Sequence, residues 1–367
     1  MSVEKKPFGT LSDGREVSLY TITNEGGESI SVTDYGASVT SILVHDRDGN
    51  LRDIALGCDN AADYECQTAC LGGVPGRVAN RIEKGEFTLD GTVYHLECND
   101  GPNHLHGGSH GFHRRLWQAS IASENSVRFT LFSPNGEDGY PGNVVVSVQY
   151  TWNFTKKGYF NDRDKSVLDI WYKGMSDRDT PLNLTNHTYF NLNGHDSGSV
   201  GGHLLKIVSD EFTENDANCL PTGRIVRLDE PEAKVMDFRT SKEIGRDWNE
   251  KNIHLQNGSG YDHNYVLLEE ATYAAKAWTP ESGILMVCTT EQPGLQLYAG
   301  NFLENSNIRG KGGVMYHNRD GFCLETQAFP NAMQHPSFPS VILEKGRCYD
   351  RLTTYEFSIA DEDEMKF

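Results

Sequence analysis

The chain has 367 residues, with 33 Lys and Arg against 52 Asp and Glu and a formal charge of −19 at pH 7. An acid excess spread along the chain with no basic run repels phosphate backbones and anionic headgroups, which excludes nucleic acid and membrane surfaces as partners. Apolar residues at 37% and aromatics at 10% suffice to fill a core and are too many for a disordered chain.

Met1 to Pro7 has none of the apolar run that a secretory signal requires, and no segment approaches the roughly 18 apolar residues of a membrane span. Short β-type runs then follow at regular intervals: Ile30 to Thr33, Val39 to Val44, a turn at Asp46 to Asn50, and Ile54 to Leu56. A strand every 8–12 residues marks an antiparallel all-β fold. Asp90-Gly91, which tolerates positive φ at both turn positions, predicts a hairpin of Glu86–Leu89 with Thr92–Leu96 and puts Phe87, Leu89, Tyr94 and Leu96 on one face. The rhythm continues through Val144 to Phe154, Ser166 to Tyr172, Tyr265 to Leu268, Gly283 to Thr290, Gln296 to Ala299, Gly321 to Thr326 and Tyr355 to Ile359. Helices are expected to be few and short, the best being Ser241 to Trp248 with a Thr240 or Ser241 cap. The 37 glycines form no linker, so the reading is one domain over 1–367. The eight cysteines show no repeated spacing and several lie in apolar runs, which predicts reduced, mostly buried thiols and a cytoplasmic address.

Several segments carry Asn, His, Arg and carboxylates that packing does not demand. Gly72 to Arg81 combines glycines, which let backbone approach a ligand, with the planar donor fork of Arg81. In Asn103 to Gly108, His104-x-His106 on an extended strand would present both imidazoles to one face, either as metal ligands or as one donor beside a structural partner. Pro181 to Leu192 alternates so that Asn183, Thr185 and His187 share a polar face suited to a sugar floor. Asp262 follows a turn, Gln296 lies between apolar neighbours, and Glu325 sits inside the strand-like Gly321 to Gln327. A carboxyl there is costly unless hydrogen-bonded or functional, and burial would raise its pKa towards a general base. P-loop, GxSxG, HExxH and strand-GxGxxG-helix signatures do not occur, so phosphoryl transfer, serine hydrolysis and nicotinamide chemistry lack their usual carriers.

Taken together, Asn80-Arg81-Ile82, Leu105-His106-Gly107-Gly108, Gly136 to Gly142, Asn183 to Leu192, Asp262-His263, Gln292-Pro293-Gly294 and Leu324-Glu325-Thr326-Gln327 resemble the aldose 1-epimerase (galactose mutarotase) family, in its motif order and over nearly the whole length. The resemblance implies a large antiparallel β-sandwich with a sugar cleft. It also implies interconversion of the anomers of free hexoses such as galactose and glucose by a monomer or weak homodimer, with no cofactor and no metal. By motif, Glu325 matches the catalytic base, His187 the catalytic acid and His106 the second active-site histidine, while Asn80, Arg81, Asp262 and Gln296 match sugar-contacting positions. The Lys- and Asp-rich stretch 154–166 departs from the pattern and is expected to lengthen a hairpin. Other readings are a non-catalytic carbohydrate-binding protein, a sugar-phosphate epimerase on the same scaffold, and a metal-dependent barrel built on His104 and His106.

Overall fold

A computed structural model of the chain describes residues 1–155 and 164–365. Three antiparallel sheets carry most of it. The first is a meander of Ser2–Thr10, Glu16–Thr23, Ser29–Thr33, Val39–His45 and Leu51–Asp53. The second has nine strands, built around the long neighbours Val144–Thr155 and Lys165–Ser176, with Cys348–Ile359 beside them. The third orders Pro221–Arg227, Glu211–Asn215, Asp262–Val266, Gly294–Tyr298 and Cys323–Gln327.

Period-2 patterning explains how the layers meet. In Val144–Thr155 the residues Val144, Val146, Val148, Tyr150 and Trp152 are all buried, whereas Val145 is exposed. They share one apolar cluster with Ile30 and Ile42 of the first sheet and Tyr265, Leu295, Leu297 and Leu324 of the third. Each such Val or Leu contributes about 1.5–3 kcal/mol by leaving water. Because Tyr265, Leu295 and Leu324 face this core, alternation turns Asn264, Gln296 and Glu325, which are paired across three strands, to the opposite face.

The hairpin at Asp90-Gly91 forms as expected, with φ of 50° and 75° at the turn and the Phe87 and Tyr94 rings stacked at 5.2 Å. Residues 144–155 and 165–176 pair in register from Val144↔Ser176 to Thr155↔Lys165. The tip of the stretch expected to lengthen that hairpin, 156–163, lies outside the described residues.

Three expectations are corrected. Ser241 to Trp248 is not helical: Lys242–Glu243 is an edge strand on Leu204–Leu205. Gly245 N donates to Gly201 O at 2.8 Å, and its Cα side lies so close to Gly201 that a Cβ would stand 2.9 Å from Gly201 Cα. Tertiary backbone pairing there overrides a weak local preference. The strand expected at Ile54 to Leu56 ends at Asp53, and the following residues instead reach separate partners, Ile54 N to Ile42 O and Leu56 N to Tyr189 O. All eight cysteines are free, but Cys58, Cys70, Cys288 and Cys323 alone are buried, with Cys219 half-buried and Cys66, Cys98 and Cys348 exposed. The α-helices Ala61–Cys66 and Ile253–Gly258 are short, each opened by an Asn side chain accepting from the first turn. Among the described residues, no helix is long and apolar enough to cross a membrane.

Candidate active site

The polar face of the third sheet forms one wall of a cleft of about 560 Å³. Asn80, Arg81, His106, His187, Asp262 and Glu325 all line it, together with Tyr189 and Tyr298. Six of the seven expected site residues therefore converge from five separate chain segments. Gln296 is the exception, buried beneath the floor with its Nε2 donating to Asp262 Oδ1 at 2.6 Å and its Oε1 accepting from Gln327 Nε2 at 3.2 Å. It orients the carboxylate rather than lining the wall.

Glu325 projects from mid-strand and is 2% exposed. Its Oε1 lies 3.6 Å from His187 Nε2, and its buried Oε2 has no hydrogen-bond partner. Burial, helped by the Asp262 charge, holds this carboxyl well above the usual range, with Arg81 opposing. Burial moves His187 the other way, down to about 4.

Of the segment expected to supply a sugar floor, Asn183, Thr185 and Asn186 stay off the cleft wall and His187 alone of these reaches it. Residues 184–189 are irregular, held by mutual bonds of His187 with Gly72 and Gly73. Asn183 Oδ1 accepts from Ala328 N, and Asn186 donates to Gly72 O, so both amides serve backbone. His187 is left to face the cleft, with the Tyr189 ring 4.9 Å from it.

His104 and His106 do not share a face. Alternation breaks at His106, which has a φ of 53°. The next residue must be glycine, because a Cβ on Gly107 would fall 1.7 Å from Gly76 O. His104 turns inward, bonded through Nδ1 to Glu97 O and Nε2 to Tyr140 OH, and cannot join a metal site. His106 instead accepts from Asn80 N at Nδ1, 3.1 Å, which leaves its proton on Nε2.

That tautomer decides what the cluster offers a metal. His106, His187 and Glu325 each bring a ligand atom within 4.8 Å of the others. A ligating His106 Nε2 would need its proton moved to Nδ1, against the Asn80 N–H, so the residues do not fit a cation and fit a hydrogen-bond donor.

Arg81 Nε donates to Asp100 Oδ2 at 2.7 Å, and its Nη1 lies 3.8 Å from Asp262 Oδ2. Burial raises the Asp262 carboxyl, with Arg81 and Gln296 opposing. The sequence reading missed Asp100, Tyr189 and Tyr298. Tyr298 was within reach, since it stands two positions beyond Gln296 on the same face. Asp100 gives no local signal.

A family profile described as aldose 1-epimerase matches residues 18–356. The chain belongs to the aldose 1-epimerase family. The galactose mutarotase of Rattus norvegicus is 38% identical, with 98% of this chain and 100% of the relative aligned. The aldose 1-epimerase of Escherichia coli K12 is 33% identical over 94% and 96%. The crystal structure of an aldose epimerase homologue from C. elegans superposes with a TM-score of 0.83 at 30% identity, covering 93% of this chain and 98% of that one. This aldose 1-epimerase family member is an isomerase, and its antiparallel sheets are those of the galactose mutarotase fold.

Proposed function

We propose that the chain interconverts the α and β anomers of free hexoses such as galactose and glucose in the cytoplasm, with Glu325 as base, His187 as acid and one transferable proton between them. The observation that carries this is the pair itself: a buried carboxyl and a buried imidazole 3.6 Å apart in a polar cleft. With no sugar present, burial disfavours charge on both, so the proton rests on Glu325. A C1 hydroxyl donating to the carboxyl lowers its proton affinity, and a ring oxygen facing Nε2 draws the proton to His187. Glu325 then takes the C1 hydroxyl proton while His187 protonates the ring oxygen, the C1–O5 bond breaks, and the open aldehyde turns about C1–C2. On closure O5 returns its proton to His187 and Glu325 protonates the carbonyl oxygen, so the pair ends as it began. The Nε2–H of His106 and the Arg81 guanidinium supply donors to sugar oxygens that gain charge.

Free rather than phosphorylated sugars suit the cleft. Arg81 is the one Lys or Arg among its described lining residues, and it already faces Asp100 and Asp262. Polarimetry of freshly dissolved α-D-galactose and α-D-glucose is expected to show accelerated mutarotation in the presence of EDTA. Activity that vanishes with EDTA and returns with a divalent ion would overturn the proton-transfer reading.

Asp262 is assigned to a sugar hydroxyl. Asp262→Ala is expected to raise KM and change the galactose-to-glucose preference, because an unmade buried hydrogen bond discriminates epimers. Kinetic constants unchanged for both sugars would reduce Asp262 to an anchor for Arg81.

A further inference from the structure

One strand touches both nitrogens of the His187 ring. Cys323 and Glu325 are two residues apart in Cys323–Gln327, so their side chains leave on the same face. The Cys323 Sγ lies 3.4 Å from His187 Nδ1, while Glu325 Oε1 lies 3.6 Å from Nε2. Cys323 is fully buried, and burial holds its thiol well above the usual range, so it remains uncharged. A hydrogen bond of the ring with the residue's own backbone favours a proton on it.

We propose that Cys323 is a positioning residue, whose sulfur accepts from His187 Nδ1–H and so keeps Nε2 as the nitrogen that exchanges protons with Glu325 and the sugar ring oxygen. The inference rests on the acid role proposed for His187. An acid that must give its proton to a weakly basic ring oxygen gains from a partner that fixes its tautomer without stabilising its charge. A carboxylate at Nδ1 would hold the imidazolium and weaken it as an acid, whereas a thiol fixes the ring and adds no charge. The other titratable groups around the ring are His106, with ring centroids 5.3 Å apart, Tyr189 at 4.9 Å and Tyr298 at 6.1 Å, and His113, whose imidazole feels the His187 charge.

Nitrogen-15 NMR of the histidine-labelled full chain at pH 7 is expected to show His187 protonated at Nδ1 and bare at Nε2. Cys323→Ala should mix the two tautomers, lower kcat roughly five- to tenfold and shift the acid limb of the pH profile, with KM within about twofold of wild type. Cys323→Ser, which keeps an uncharged acceptor, should retain both the tautomer and most of the activity. A wild-type proton on Nε2, or a folded Cys323→Ala enzyme with the wild-type kcat and pH profile, overturns the proposal. Should Cys323→Ala not fold, the wild-type spectrum and Cys323→Ser decide it. A wild-type protein without mutarotation would defeat the functional reading instead, and the spectrum would still report on Cys323.

Discussion

Glu325→Gln is expected to lower kcat by roughly 10²–10⁴ while the fold and sugar binding persist. The substitution keeps size and most hydrogen bonding and removes the one group able to take the C1 hydroxyl proton. Stability should move in a defined direction. The folded carboxyl lies above its unfolded value, so the stability it contributes is present at low pH and is lost as pH rises through the folded pKa. A neutral amide has no such dependence, and the melting temperature of Glu325→Gln should equal or exceed wild type most clearly on the alkaline side. A structural Glu325 would behave oppositely, with a lower melting temperature and near-normal kcat per folded molecule. Thermal melts and polarimetry on one preparation separate the two roles.

His187→Asn is expected to cost a comparable factor, roughly 10²–10⁴ in kcat, with KM comparatively intact. The pH profile carries the sharper information. The pair works with one proton, so kcat/KM in the wild type should fall on the acid side as His187 takes up a second proton near its lowered pKa of about 4, and on the alkaline side as Glu325 loses the last one. Both limbs belong to the coupled pair. His187→Asn should abolish the acid limb. Retained activity with both limbs in place would pass the acid role to His106, the next imidazole in the cleft.

What the sequence by itself determined was whatever depends on local alternation and turn chemistry. Asp90-Gly91 dictated a hairpin because both positions tolerate positive φ, and the valines of Val144–Thr155 dictated a strand with one buried face. Alternation within Gly321 to Gln327 marked Glu325 as an expensive residue to bury, and motif order named its partners. The helix expected at Ser241 to Trp248 failed because its signal was weak and Gly245 and Lys242 had stronger partners at Gly201 and Leu205, more than 35 residues away in the chain.

The tertiary structure decided the directions in which side chains point once the chain leaves regular structure. A left-handed φ at His106 separates it from His104 and, with Asn80 N on Nδ1, turns a candidate metal ligand into a hydrogen-bond donor. Asn183 belongs to the polar face suited to a sugar floor in a linear reading, yet its amide, like that of Asn186, is committed to backbone of a distant segment. Gln296 sinks below the floor for the same kind of reason, since its two partners, Asp262 and Gln327, come from neighbouring strands of one sheet. Hydrogen bonds of polar side chains are satisfied by whichever groups folding brings near, and those groups are set by sheet topology, which no window of sequence contains.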